Sequence, residues 1–144
     1  MIWEKNSASF MACSAQNVKP ELRFEYEEEA IFRVTEKLSI DMDVEDSGSL
    51  EGLRQRLETE AFDVVHLSGH ADIDYNSRPF FIMEDETGQR QDVFPAELWR
   101  NALVENPPAV LFLSGCRTGE TPAEQAATSF AQQLVEKFQV PAVL

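Results

Sequence analysis

The chain has 144 residues, 43% of them hydrophobic and 26% charged, which is enough for one domain around one core and excludes a fully disordered polymer. Its 12 Lys and Arg stand against 26 Asp and Glu, a net charge of −14. That balance excludes nucleic acid as a direct ligand and argues against anionic membrane surfaces, since both are held by basic side chains, and it permits a basic partner or substrate.

The expected elements alternate between strand and helix. A first strand is expected over residues 7–13. A helix follows over 24–38, with Phe24, Ile31, Val34 and Leu38 at helical spacing and Glu25, Glu27, Glu28 and Glu29 at its electropositive start. Residues 40–44 alternate apolar and acidic side chains like an edge strand. Ser47-Gly48-Ser49 is a turn and cap before the helical stripe Leu50, Leu53 and Leu57. Residues 63–68 form a short buried strand ending at Gly69. Residues 80–83 and 91–94 flank a turn at Thr87-Gly88 and read as a hairpin. Pro95 opens a helix over 96–104, which Pro107-Pro108 ends. A second buried strand covers 109–114. Thr121-Pro122-Ala123-Glu124 is a capping box ahead of a helix whose Ala123, Ala127, Phe130, Leu134 and Phe138 share one face. Residues 141–144 begin a last strand. This order implies an α/β fold with a parallel sheet.

Two cysteines, Cys13 and Cys116, are too few for a disulfide scaffold. The start of the chain shows no basic segment leading into an apolar one, and the apolar run at 109–113 is far short of a bilayer span. A reducing cytoplasm is therefore the expected location, with both cysteines as thiols.

Chemistry concentrates after the two buried strands. One ends in His66-Leu67-Ser68-Gly69-His70-Ala71-Asp72, the other in Leu113-Ser114-Gly115-Cys116-Arg117-Thr118-Gly119. In an open parallel sheet, sites form beyond the carboxyl ends of the strands. His70, expected on a loop after Gly69, and Cys116 then project from one rim. An imidazole is the usual group that takes the proton from a thiol nucleophile. No Gly-rich phosphate loop follows the first strand, and the spacing of Cys13, His66, His70 and Cys116 makes no metal-binding pattern, so neither a nucleotide nor a metal is expected. No cofactor is implied.

Gly115-Cys116-Arg117-Thr118-Gly119 resembles the nucleophile pattern of caspases. More specifically, the runs 63–72 and 111–119, with the stretches 45–53 and 140–144, resemble a CHAT domain, the bacterial caspase-like module often joined to tetratricopeptide repeats. The resemblance implies a caspase-like, Rossmann-like three-layer sandwich with a mainly parallel sheet. It implies a cysteine endopeptidase in which His70 and Cys116 form the dyad. The backbone amides at Ala71 and Cys116 would form the oxyanion hole, and Asp72 and Ser114 would line the substrate pocket. Ala71 stands where caspases usually carry glycine. By the same resemblance, the chain corresponds to the large-subunit-like part, as one domain over 1–144. A further small-subunit-like segment or a tetratricopeptide-repeat partner would then complete it.

Other residues have plainer readings. His66, inside its strand, is expected to be a core histidine on the same face as Ser68 and His70. Cys13 is expected to be a structural thiol, Arg117 a surface ion-pair partner, and the acidic clusters solvated faces. A catalytically inactive interaction module and a different Cys–His hydrolase are the two alternatives to the endopeptidase.

Overall fold

The computed structural model describes residues 8–13, 24–38, 40–115 and 123–144. Along the chain lie β1 (Ala8–Cys13), α1 (Phe24–Thr35), β2 (Asp41–Glu45), α2 (Leu50–Thr59), β3 (Val64–Ile73), β4 (Pro79–Glu84), β5 (Arg90–Val93) and α3 (Pro95–Leu98). A π-helical stretch (Trp99–Leu103) continues α3, and β6 (Val110–Gly115) and α4 (Ala123–Phe138) complete the order. The first two residues of the capping box expected before α4 lie outside the described residues. No helix among the described residues is long and apolar enough to cross a membrane.

The α/β class is as expected, but the sheet is mixed rather than mainly parallel. β1 pairs in parallel with β2 and with β3, and β3 pairs in parallel with β6. β3 also pairs antiparallel with β4, and β4 with β5. The antiparallel part exists because the hairpin expected between the buried strands does not stand apart from them. β4 folds back onto the end of β3 and extends it to Ile73. The last residues hydrogen-bond along β6. Leu111 N–H donates to Ala142 at 2.9 Å, Leu113 N–H to Leu144 at 2.8 Å, and Leu144 N–H to Leu111 at 2.9 Å.

Strand alternation decides which side chains enter the core. Val65, Leu67 and Ala71 of β3, Phe81 and Met83 of β4, Val93 of β5 and Leu111 of β6 are buried in one cluster. Leu53 and Leu57 of α2, Leu98 of α3, Leu103 of the π-helical stretch and Phe130 and Leu134 of α4 join it. The rings of Phe81 and Phe130 meet at 6.2 Å between centroids, and Trp99 stacks on Phe138 at 6.0 Å. Of the α4 stripe read from the sequence, Phe130 and Leu134, with the partly buried Ala127 and Phe138, form the face that packs on this core. The intervening β3 residues His66, Ser68 and His70 share the opposite face, as alternation requires.

The two hairpin turns owe their shape to aspartates. Asp74 Oδ1 accepts the backbone N–H groups of Asn76 (2.9 Å) and Arg78 (2.8 Å), and Oδ2 accepts Arg78 Nε (2.8 Å). Asp85 Oδ1 accepts the Thr87 N–H (2.8 Å), the Thr87 hydroxyl (2.7 Å) and the Gln89 N–H (3.0 Å). Gly88 adopts the left-handed φ of 75° that closes the second turn.

The loop between β2 and α2 is fastened from inside. Glu45 is buried, and its carboxylate accepts the Ser47 N–H at 2.9 Å and the Gly48 N–H at 3.2 Å. Ser49 caps α2 by accepting the Gly52 N–H at 2.9 Å. Gly48, with φ 65°, offers its carbonyl to the Glu84 N–H at 3.0 Å, which ties the loop to the end of β4. A Cβ on Gly52 would lie 2.5 Å from Ser47 Oγ and 2.6 Å from Glu45 Oε1. Gly52→Ala is therefore expected to cost about 1–3 kcal/mol despite alanine's better helix propensity. Urea unfolding checks this, and an unchanged or raised midpoint would show that the loop yields freely.

Candidate active site

β3 changes partners where the candidate histidine lies. Val64 to Gly69 are matched in parallel with Val110 to Gly115 of β6. From His70 onward the partner is β4, with His70 opposite Ile82, Ala71 opposite Phe81 and Asp72 opposite Phe80. His70 therefore lies within the strand and not on the loop expected after Gly69. β4 supplies the pairing that keeps the backbone extended past the glycine.

The hairpin also buries the imidazole. Every residue from Pro79 to Met83 is buried, so β4 is covered on both faces. Phe81 and Met83 belong to the main core, whereas Phe80 and Ile82 form a second small cluster with Phe94. Directly cross-strand residues share a face, so His70 lies on the side of Ile82 and Phe80. Only 6% of His70 remains exposed, and its Nε2 is buried with no hydrogen-bond partner among the described residues. Burial, and then the positive charge of Arg90 on β5, hold the imidazole below its ordinary value of 6.5. The neutral form is the one that can accept a proton. A buried nitrogen without a partner costs about 1–3 kcal/mol, which makes this position one that calls for a ligand or a reacting group.

The other expected site residues fall as follows. Ala71 is buried, with its side chain in the main core. Asp72 is exposed, and its Oδ1 accepts the Ile73 N–H at 2.8 Å. Ser114 is half-buried on β6, opposite Ser68. Cys116 and Arg117 lie outside the described residues. Gly115 is the register partner of Gly69, and the next residues in sequence are Cys116 and His70 respectively. His66 is half-buried and meets the Phe112 ring at 6.0 Å between centroids. The backbone of Cys13, at the end of β1, is level with Ser68.

The sequence reading missed Phe80, Ile82 and Arg90 as neighbours of the imidazole. The signal was present in the unbroken apolar run 79–83. A hairpin strand with one solvated face would alternate, so a run without alternation means that both faces are covered.

These observations define an α/β domain with a desolvated histidine where a parallel strand passes into a hairpin. The CHAT domain family model matches residues 5–138, and the chain belongs to that family. No curated protein matches the chain.

The lowered midpoint of His70 links the site to stability. Unfolded, the imidazole titrates near 6.5, and folded it titrates lower. Between the two values the unfolded chain binds more protons, so stability falls as pH drops through 6.5 and levels off below the folded midpoint. His70→Gln is expected to remove that part of the acid destabilisation. Urea unfolding of both proteins from about pH 8 to about pH 5 measures it, and parallel curves would show that His70 titrates alike in both states.

Proposed function

We propose that the domain is a caspase-like cysteine endopeptidase, the large-subunit-like part of a three-layer sandwich, with His70 and Cys116 as its dyad. The observation that carries this reading is the Nε2 of His70, buried with no hydrogen-bond partner among the described residues, one residue beyond the Gly69–Gly115 register pair. Membership of the CHAT family supports it. Neighbouring strands lie about 4.8 Å apart, so side chains leaving these two positions come within reach of each other.

In this mechanism Nε2 of His70 takes the proton from Cys116 Sγ, and the sulfur attacks the carbonyl carbon of a peptide bond. The backbone amides at Ala71 and Cys116 receive the developing oxyanion. The imidazolium then gives its proton to the leaving amine, which departs and leaves a thioester. Water, activated by the same imidazole, hydrolyses the thioester and restores the thiol. Asp72, exposed on the same strand, together with Ser114 opposite Ser68, lines the pocket beside the scissile bond, and a carboxylate there favours a basic side chain. The substrate is a peptide or protein, no cofactor takes part, and the setting is cytoplasmic. A small-subunit-like segment or a tetratricopeptide-repeat partner completes the cleft.

The test is labelling of the full-length protein with an electrophilic peptide, alongside a hydrolysis assay. Cys116→Ala is expected to abolish labelling, and His70→Gln to slow hydrolysis by roughly 10²–10⁴-fold. Cys13→Ser leaves both unchanged. Labelling of Cys116→Ala at the parent's rate would remove the nucleophile. Absence of turnover in the folded parent would leave the second reading, a CHAT-type interaction module without catalysis.

A further inference from the structure

We propose that Arg90 and Asp92 of β5 are positioning residues for His70, holding the charge state of its imidazole from the far strand of the hairpin. The inference deepens the reading of His70 as the base and rests on it for its catalytic meaning.

The register supplies the geometry. His70 lies opposite Ile82, and Ile82 lies opposite Asp92, so one row crosses three strands on one face. Arg90 precedes Asp92 by one alternation and is on the same side. Its Nε donates to Asp92 Oδ1 at 2.7 Å, and its guanidinium lies over the Phe80 ring at 5.7 Å from the centroid. Phe80 belongs to the cluster with Ile82 beside the imidazole. The cation is therefore held in place by a carboxylate and an aromatic face, and it overlooks a histidine that burial has already desolvated. The guanidinium and its carboxylate are themselves 45% and 41% exposed, so water screens part of the field, while the apolar strand between the pair and the imidazole, with Ile82 at its centre, transmits the rest.

Among the described residues, the other ionisable groups on the elements around His70 can be assigned in turn. Its own strand carries His66 and Asp72 on this face, and Asp74 beyond them is spent on Arg78 at 2.8 Å. β4 contributes Glu84, level with Arg90. The sequence of β1 holds no ionisable residue besides Cys13, and that of β6 (Val110–Gly115) holds none. α4 packs on the opposite, core face. Arg78, whose guanidinium lies 4.6 Å from the Phe94 ring centroid, is a second cation on this face and is paired with Asp74. Among the described residues Arg90 is the cation of the row itself, and Asp92 both anchors it and opposes its effect.

The two members of the pair must then act with opposite signs. Arg90→Gln removes the cation and makes His70 easier to protonate, which moves its titration midpoint up. Asp92→Asn removes a carboxylate and leaves Arg90 unopposed, which moves the midpoint down. Disturbance of the hairpin alone would instead let water reach the imidazole and raise the midpoint in both variants. The sequence has only two histidines, so proton NMR titration of the full-length protein resolves the signal, with His66→Gln fixing the assignment. Opposite shifts support the proposal. An unmoved midpoint in Arg90→Gln, or shifts of one sign in both variants, overturns it. The readout needs no turnover, so opposite shifts in a protein that cleaves nothing would leave this inference standing and remove the endopeptidase reading instead. Where turnover is present, the acid limb of the kcat/KM profile moves with each midpoint.

Discussion

Everything at the candidate site depends on one strand that changes partners along its length. β3 is ten residues long, and its two halves have different partners. The first half is held on both edges by parallel neighbours, β1 and β6. The second half is held by an antiparallel one, β4. The change falls between Gly69 and His70, where β6 stops being matched to β3. Strand geometry then leaves little freedom. Alternation sends Ala71 into the core with Val65 and Leu67, and His70 must emerge on the other face, next to the place where the parallel register runs out.

The same hairpin explains how a titratable side chain is kept dry there. β4 brings Phe80 and Ile82 to the imidazole's side of the sheet, while its alternate residues, Phe81 and Met83, anchor it in the core. The stability of β4 is thus tied to the main core and to α4 through the Phe81–Phe130 contact. At its other end the strand is fastened by the Glu84 bond to the Gly48 carbonyl, and that loop is held in turn by the Glu45 carboxylate. A substitution far from His70, in the β2–α2 loop, therefore acts on the element that desolvates it. Site and scaffold share their contacts.

Much of this was legible in the sequence because the signals were periodic. The Leu50, Leu53, Leu57 stripe, Phe130 and Leu134 of α4 and Val65 and Leu67 of β3 are buried as their spacing implies, whereas β6 buries Leu111 but leaves Phe112 exposed. The candidate residues were legible because His70 and Cys116 stand in similar local contexts, each after a glycine that ends a buried run. The partner change along β3 was not legible. Gly69 looks like a stop, and only the pairing with β4, a non-local contact, carries the strand to Ile73. For the same reason the sheet was expected to be mainly parallel, since a hairpin read locally gives no sign that it will join the strand before it. The helix expected over 96–104 shows a similar limit. Pro95 marks its start correctly, and Glu97 accepts the Phe94 N–H at 2.9 Å, but the turn widens into a π-helix at Trp99, where that ring stacks on Phe138.

The net charge of −14 would by itself raise the affinity of any imidazole for a proton. His70 moves the other way because distance and water weaken most of those carboxylates, whose field decays over about 10 Å at moderate ionic strength. Burial first, and then the guanidinium of Arg90, outweigh them. The consequence for the proposed chemistry is a choice between two resting states. A cysteine–histidine pair can wait as thiolate and imidazolium, or as thiol and neutral imidazole. In the proposed dyad, surroundings that disfavour the charged ring would make the first state costly, and the proton would leave the sulfur as the sulfur attacks. A site of this kind is a poor free nucleophile and depends on a bound substrate carbonyl to draw the proton across.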